Sequence, residues 1–143
     1  LLTFIDGEAA IKPGPVGSIG WCMGGWMVLS AAGNFPDRLQ AGASLHGTML
    51  VSDKPDSPHL MVDKFHGELY GGFGELDHLT PPAMAEELGR LLNGCDVDYR
   101  GIIHKGAEHG YALPDRDIFD APAAARDWEH IFAMWRRVLG DSG

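Results

Sequence analysis

Short, nearly continuous apolar runs bounded by glycine and proline alternate along this chain with longer stretches in which apolar residues recur every three to four positions. Residues 16–19, 40–46, 68–73 and 97–104 read as strands. Residues 24–32, 82–92 and 121–139 read as helices, the last with Trp128, Ile131, Trp135 and Leu139 along one face. A short helix is expected over 59–65, and residues 1–10 read as the end of an amphipathic helix broken by Lys12-Pro13-Gly14-Pro15. Gly33-Asn34 and Asn93-Gly94 are expected to cap the helices before them, and Pro81 or Pro82 suits a first helical turn. The glycine pair Gly71-Gly72 inside a strand predicts a close approach of neighbouring groups. Strands alternating with helices imply βαβ units. The expected fold class is therefore α/β: a single domain over residues 1–143, with a mainly parallel sheet of about four strands flanked by helices.

In such a sheet the ligand crevice lies beyond the carboxyl ends of the strands, so the loops after the strands are where chemistry is sought. Three of them carry it. The first strand leads into Gly20-Trp21-Cys22-Met23-Gly24-Gly25. A thiol flanked by glycines where a strand turns into a helix matches the nucleophile elbow, and the helix N-terminus favours the thiolate. The third strand is followed by Gly74-Glu75-Leu76-Asp77-His78, and the fourth by Gly106-Ala107-Glu108-His109-Gly110-Tyr111. The chain order is nucleophile, acid, histidine, the order of the α/β-hydrolase triad. Taken singly, Asp77 before Leu79-Thr80-Pro81 is an ordinary turn acceptor, and His109 an ordinary turn histidine. Their joint placement on strand-end loops of one sheet points to catalysis.

These motifs resemble the dienelactone hydrolase family, with its Gly-x-Cys-x-Gly-Gly elbow, Gly-x-x-Asp loop and His-Gly-aromatic loop. The resemblance runs from about Gly14 to Leu139. It implies a partial α/β-hydrolase fold, a triad of Cys22, His109 and Asp77, and cleavage of an ester or lactone through a thioester, with no cofactor and no metal. The backbone N–H of Met23 is the expected oxyanion donor, and Trp21, His46 and Tyr111 are expected to contact substrate. The family's fold carries further strands before the elbow. They supply a second oxyanion donor, a glutamate that helps form the thiolate and an arginine for the substrate carboxylate. The namesake enzymes also place an arginine four residues after the histidine, where this chain has Leu113, with Arg116 beyond it. Ester or lactone hydrolysis thus carries over better than dienelactone specificity.

Composition narrows the partners. A net charge of −9 argues against nucleic acid and anionic membrane surfaces, and no apolar run approaches the ~20 residues a spanning helix needs. Cys22 and Cys95 lie in unrelated contexts and make a poor disulfide framework, which points to the cytoplasm. The chain opens Leu1-Leu2-Thr3 with the nucleophile already on its first strand, so truncation at the N-terminal side is expected. The elbow strand would then be an open sheet edge, and a homodimer or other association covering that edge follows as an expectation. A non-catalytic module acting through such contacts is the alternative from another class. A thiol amidotransferase also uses a Gly-x-Cys-x-Gly elbow, but its acid follows the histidine by two residues. Here that position is Tyr111, and the remote Asp77 favours the hydrolase.

Overall fold

The structure, a computed structural model, describes residues 1–140. Four parallel strands form one sheet in the order β1-β2-β3-β4: β1 (Val16–Trp21), β2 (Leu39–Leu45), β3 (Glu68–Gly74) and β4 (Asp98–His104). Helix α2 (Met23–Asn34), a 3-10 turn (Pro58–Lys64) and α3 (Pro82–Leu92) make the successive crossovers. They pack on one face, against Leu69 and Phe73 of β3. Helix α4 (Ala121–Leu139) covers the other, against Ala41, Ala43, Leu45 and Tyr70. The α/β class and parallel sheet expected from the alternation are those observed.

Pleating explains this division, because successive residues of a strand point to opposite faces. In β2 the small Gly42 faces α2, where an added Cβ would meet Val28 and Leu69, while Ala41, Ala43 and Leu45 face α4. In β1, Gly17 lies under Trp135 and Leu139 of α4, and Gly20 lies under the first turn of α2. Side-chain size along each strand thus sets how closely each helix approaches.

Two local expectations are corrected. Gly33-Asn34 does not cap α2: Gly33 is inside the helix and buried, where a Cβ would crowd Met61 and Phe65, and the chain leaves the helix at Phe35. The reason for that glycine is packing against the 3-10 turn. The N-terminal segment forms only a short helix, α1 (Leu2–Gly7), with no buried residue. Leu1 and Phe4 lie exposed, and Leu2 and Ile5 are only partly covered, so no packed stripe forms. The Asn93 cap is found, with Gly94 at φ 98° just beyond α3.

Register decides where the loops emerge. Trp21 pairs with Leu45, Leu45 with Gly72, and Gly72 with Ile102, so β1 and β2 end level while β3 and β4 run two residues further at the same end of the sheet. The ladder runs on past the strand ends: Cys22 N–H donates to the Leu45 carbonyl (3.1 Å), and His46 N–H to that of Gly72 (2.7 Å). Among the described residues β1 pairs only with β2, as the open-edge expectation has it. No helix among them is long and apolar enough to cross a membrane.

Candidate active site

Cys22 sits at the junction of β1 and α2 with φ 53° and ψ −119°, a backbone conformation that side chains other than glycine rarely adopt. Its neighbours hold it there. The Cys22 carbonyl accepts from Gly25 N–H (3.0 Å) and Thr48 N–H (3.2 Å), the latter from the loop after β2. Gly20 is obligatory, because a Cβ there would run into the Gly24 carbonyl group. Gly25 lies against Ser44 and Gly47, whereas a Cβ on Gly24 would meet nothing within 4 Å. Met23 is the first residue of α2, so its N–H is among those a helix leaves without an internal partner. The thiol is half-buried, and Cys22 and Cys95 are both free.

Asp77 and His109 come together across two loops. His109 Nδ1–H donates to Asp77 Oδ2 at 2.8 Å, with the carboxylate fully buried and the imidazole one-fifth exposed. The other carboxylate oxygen, Oδ1, accepts from the N–H groups of Leu79 (2.8 Å) and Thr80 (2.9 Å). These loops are laced to each other and to the loop after β2. Leu76 N–H donates to the Ala107 carbonyl (2.9 Å), Gly106 N–H to Glu75 Oε2 (2.8 Å), and Thr80 Oγ1 to the Gly47 carbonyl (2.8 Å). With Nδ1 committed to Asp77, His109 keeps Nε2 for other work. Among the described residues the Cys22 sulfur makes no hydrogen bond to it.

The three residues expected to contact substrate are placed differently from one another. Trp21 is half-buried and leans on Trp128 of α4, ring centroids 6.4 Å apart. His46 is 1 % exposed, at φ 40°, with its ring edge-on to His109 (centroids 4.8 Å) and to Tyr111 (5.6 Å). Tyr111 is fully buried, and its hydroxyl donates to Asp127 Oδ2 at 2.6 Å. A phenol so enclosed braces the loop from beneath, and substrate contact does not fit that placement.

Sequence reasoning missed the group Tyr111 reaches. Asp127 of α4 is 0 % exposed, and its Oδ1 accepts from Tyr70 Oη and from His104 Nε2, each at 2.6 Å. The available signal was the spacing Ala124, Asp127, Ile131, Met134, which sets Asp127 on the buried stripe of the helix. Burial and the Asp127 carboxylate push both phenols above the ordinary tyrosine value.

Burial, reinforced by the charge His109 would carry, lowers His46 from the ordinary histidine value of 6.5 to about 4; the Asp77 and Asp127 carboxylates pull the other way and do not prevail. Neither ring nitrogen has a hydrogen-bond partner among the described residues. Between pH 6.5 and 4 the unfolded chain therefore binds a proton at His46 that the folded chain does not, so stability rises with pH across that window. The contribution is complete above 6.5 and is lost as pH falls towards 4, about 3 kcal/mol at the limit. In urea denaturation at neutral and mildly acidic pH, His46→Asn, which tolerates positive φ, should shrink the difference in stability between the two conditions. An unchanged difference would remove His46 as its source.

A parallel sheet bearing a strained Cys elbow, with an Asp-His pair on later strand-end loops, defines the class as α/β-hydrolase. The chain belongs to the dienelactone hydrolase family, whose model matches residues 3–139. It is 33% identical over 132 residues to a protein of Synechocystis sp. that carries the name carboxymethylenebutenolidase, covering 90% of this chain and 53% of that one. It is 26% identical over 136 residues to a Bradyrhizobium sp. protein named as a 2-oxo-3-(5-oxofuran-2-ylidene)propanoate lactonase, covering 92% and 55%. The chain thus spans about half the length of these relatives. Among solved structures, a dienelactone hydrolase-like promiscuous phosphotriesterase from metagenomic libraries superposes with a TM-score of 0.76 at 20% identity, over 93% of this chain and 56% of that one. That likeness speaks for the fold.

Proposed function

We propose that this chain carries the catalytic residues of an ester or lactone hydrolase that works through Cys22, His109 and Asp77. The observation that carries the reading is the buried Asp77–His109 hydrogen bond, on loops that leave the same sheet end as the strained Cys22 turn. The names of the two relatives, one of them a lactonase, favour a lactone.

In this reading the Cys22 thiolate adds to the substrate carbonyl carbon, and the oxyanion so formed takes a hydrogen bond from Met23 N–H at the start of α2. The carbon–oxygen bond to the leaving group breaks as protonated His109 gives it a proton, leaving a thioester. Water then attacks the thioester carbonyl with His109 taking its proton, and the Cys22 sulfur departs. Asp77 holds Nδ1–H of His109, which keeps Nε2 directed at these transfers, and stabilises the imidazolium. The hydrogen bond between sulfur and imidazole forms when substrate binds, because catalytic contacts are often loose in the free enzyme. Two free thiols favour a reducing compartment such as the cytoplasm. The open edge of β1 favours association with a further strand or a second copy, which sedimentation velocity would test.

The test of the chemistry is mass spectrometry after brief exposure to p-nitrophenyl acetate. The expected result is one added acetyl group, mapped by peptide fragmentation to Cys22. Acetylation confined to Cys95 or to lysines would overturn the reading.

A further inference from the structure

We propose that Asp127, on α4, is the positioning residue for His109, acting through the two residues that bound its loop. The inference rests on the triad reading of Cys22, His109 and Asp77. The loop that carries His109 begins after His104, the last residue of β4, and returns to the core at Tyr111. Both boundary residues end on one carboxylate: His104 Nε2–H on Oδ1 and Tyr111 Oη on Oδ2, each at 2.6 Å. A loop held at both ends by a single rigid group has little freedom to slide or tilt.

Other contacts surround the clamp. Tyr70 Oη donates to Asp127 Oδ1 from the middle of the sheet (2.6 Å), so α4 is held in register with β3. The carboxylate sits over Gly72, where a Cβ would lie 2.8 Å from Oδ1, so the strand has no side chain there. Asp120 N–H donates to the Tyr111 carbonyl (2.9 Å), binding the loop end to the start of α4. The Tyr111 ring carries the constraint upward, because His46 lies edge-on to it and edge-on to His109. Asp127 therefore touches neither the imidazole nor any reacting atom, yet sets the floor on which the imidazole rests.

The charge logic agrees. A fully buried carboxylate is tolerated only when donors satisfy it, and here three donors converge on it, from β3, from the end of β4 and from the loop that follows. Stability alone would be served as well by apolar residues of similar volume. What an apolar patch lacks is direction: hydrogen bonds fix the ring of Tyr111 and the start of the loop in one orientation.

Three substitutions separate positioning from general support. Tyr111→Phe removes the bond at the far end of the loop and keeps the ring against His46. Asp127→Asn keeps the volume but turns an amide N–H towards the donors. Tyr70→Phe removes a bond to the same carboxylate and leaves both loop ends attached. With p-nitrophenyl acetate, Tyr111→Phe should lower kcat about tenfold and Asp127→Asn about a hundredfold with KM little changed, the scale expected when a catalytic group is displaced by a fraction of an ångström to an ångström. Tyr70→Phe should stay within about twofold of the parent kcat while losing a similar measure of thermal stability to Tyr111→Phe. A second readout needs no turnover: the Nδ1 proton of His109, observed by NMR, should exchange rapidly with water in Tyr111→Phe and Asp127→Asn and stay protected in Tyr70→Phe. Parent-like kcat and a protected proton in Tyr111→Phe would overturn the positioning role even if Asp127→Asn fails to fold. Full activity of His109→Ala would instead strike the triad reading itself, and the two failures are thereby told apart.

Discussion

Asp77→Asn should lower kcat by about a thousandfold to ten-thousandfold while leaving the fold intact, the scale of losing the orienting carboxylate of a catalytic triad. The substitution is close to isosteric. Its side-chain oxygen can still accept from Leu79 N–H and Thr80 N–H at the Oδ1 position, so the turn that Asp77 organises survives. At the Oδ2 position, however, an amide N–H would face His109 Nδ1, where the carboxylate now accepts a hydrogen bond at 2.8 Å. The imidazole must then turn away or adopt the other tautomer, with its proton on Nε2, where it can no longer accept one. No counter-charge would stabilise the imidazolium either. Stopped-flow or steady-state assay with an activated ester measures the loss, and urea denaturation shows that the fold is retained. A fall of less than about tenfold would mean that His109 does not act as base here, or that another group orients it.

The second large effect is on the fold, and it falls on the elbow. Gly20→Ala should destabilise the protein by about 3–4 kcal/mol, because the new methyl group meets backbone, the carbonyl group of Gly24, and not a side chain that can swing aside. Relief requires β1 and the first turn of α2 to separate, which also opens the Cys22 conformation at φ 53°. Gly24→Ala, four residues on in the same motif, should have the opposite sign. A Cβ there meets nothing within 4 Å and lies within α2, so helix propensity alone predicts a gain of about 0.5–1 kcal/mol. Urea denaturation of the two variants side by side checks both directions. Equal effects would mean that the strain at Cys22 does not depend on the close approach of β1 and α2.

The contrast between these two glycines marks how far the sequence can be read. Both stand in the elbow pattern, and the pattern treats them alike. Only the packed structure distinguishes the glycine that lies under a backbone carbonyl from the one that faces open space. Gly33 gives a similar lesson, since a glycine near a helix end reads as a cap until Met61 and Phe65 are found against it. The N-terminal residues gave a weak helical pattern and formed a short helix none of whose residues is buried.

The site was partly legible for the same kind of reason. Asp77 and His109 stood out because their loops follow strands of one parallel sheet, and parallel topology sends such loops to the same end. That Nδ1 would meet Oδ2 at 2.8 Å depends on lacing between loops whose residues lie far apart in the chain. His46 read as a lone histidine at the end of a strand, with nothing local to say that its ring would be buried edge-on to His109.

From its sequence alone this chain declared a strand–helix alternation, a strained thiol turn and the chain order of three reactive residues. These are local properties, written in the spacing of apolar residues and in glycine placement, and they hold whatever the rest of the molecule does. Tertiary structure alone decided that Asp127 is a buried hub. Its three donors are 16, 23 and 57 residues away, and the helical spacing that turns Asp127 inward says nothing of what it meets there. The physical reason is range: hydrophobic periodicity reports which way a residue faces, while the donors that make a buried carboxylate tolerable are supplied by whichever elements the fold brings against it.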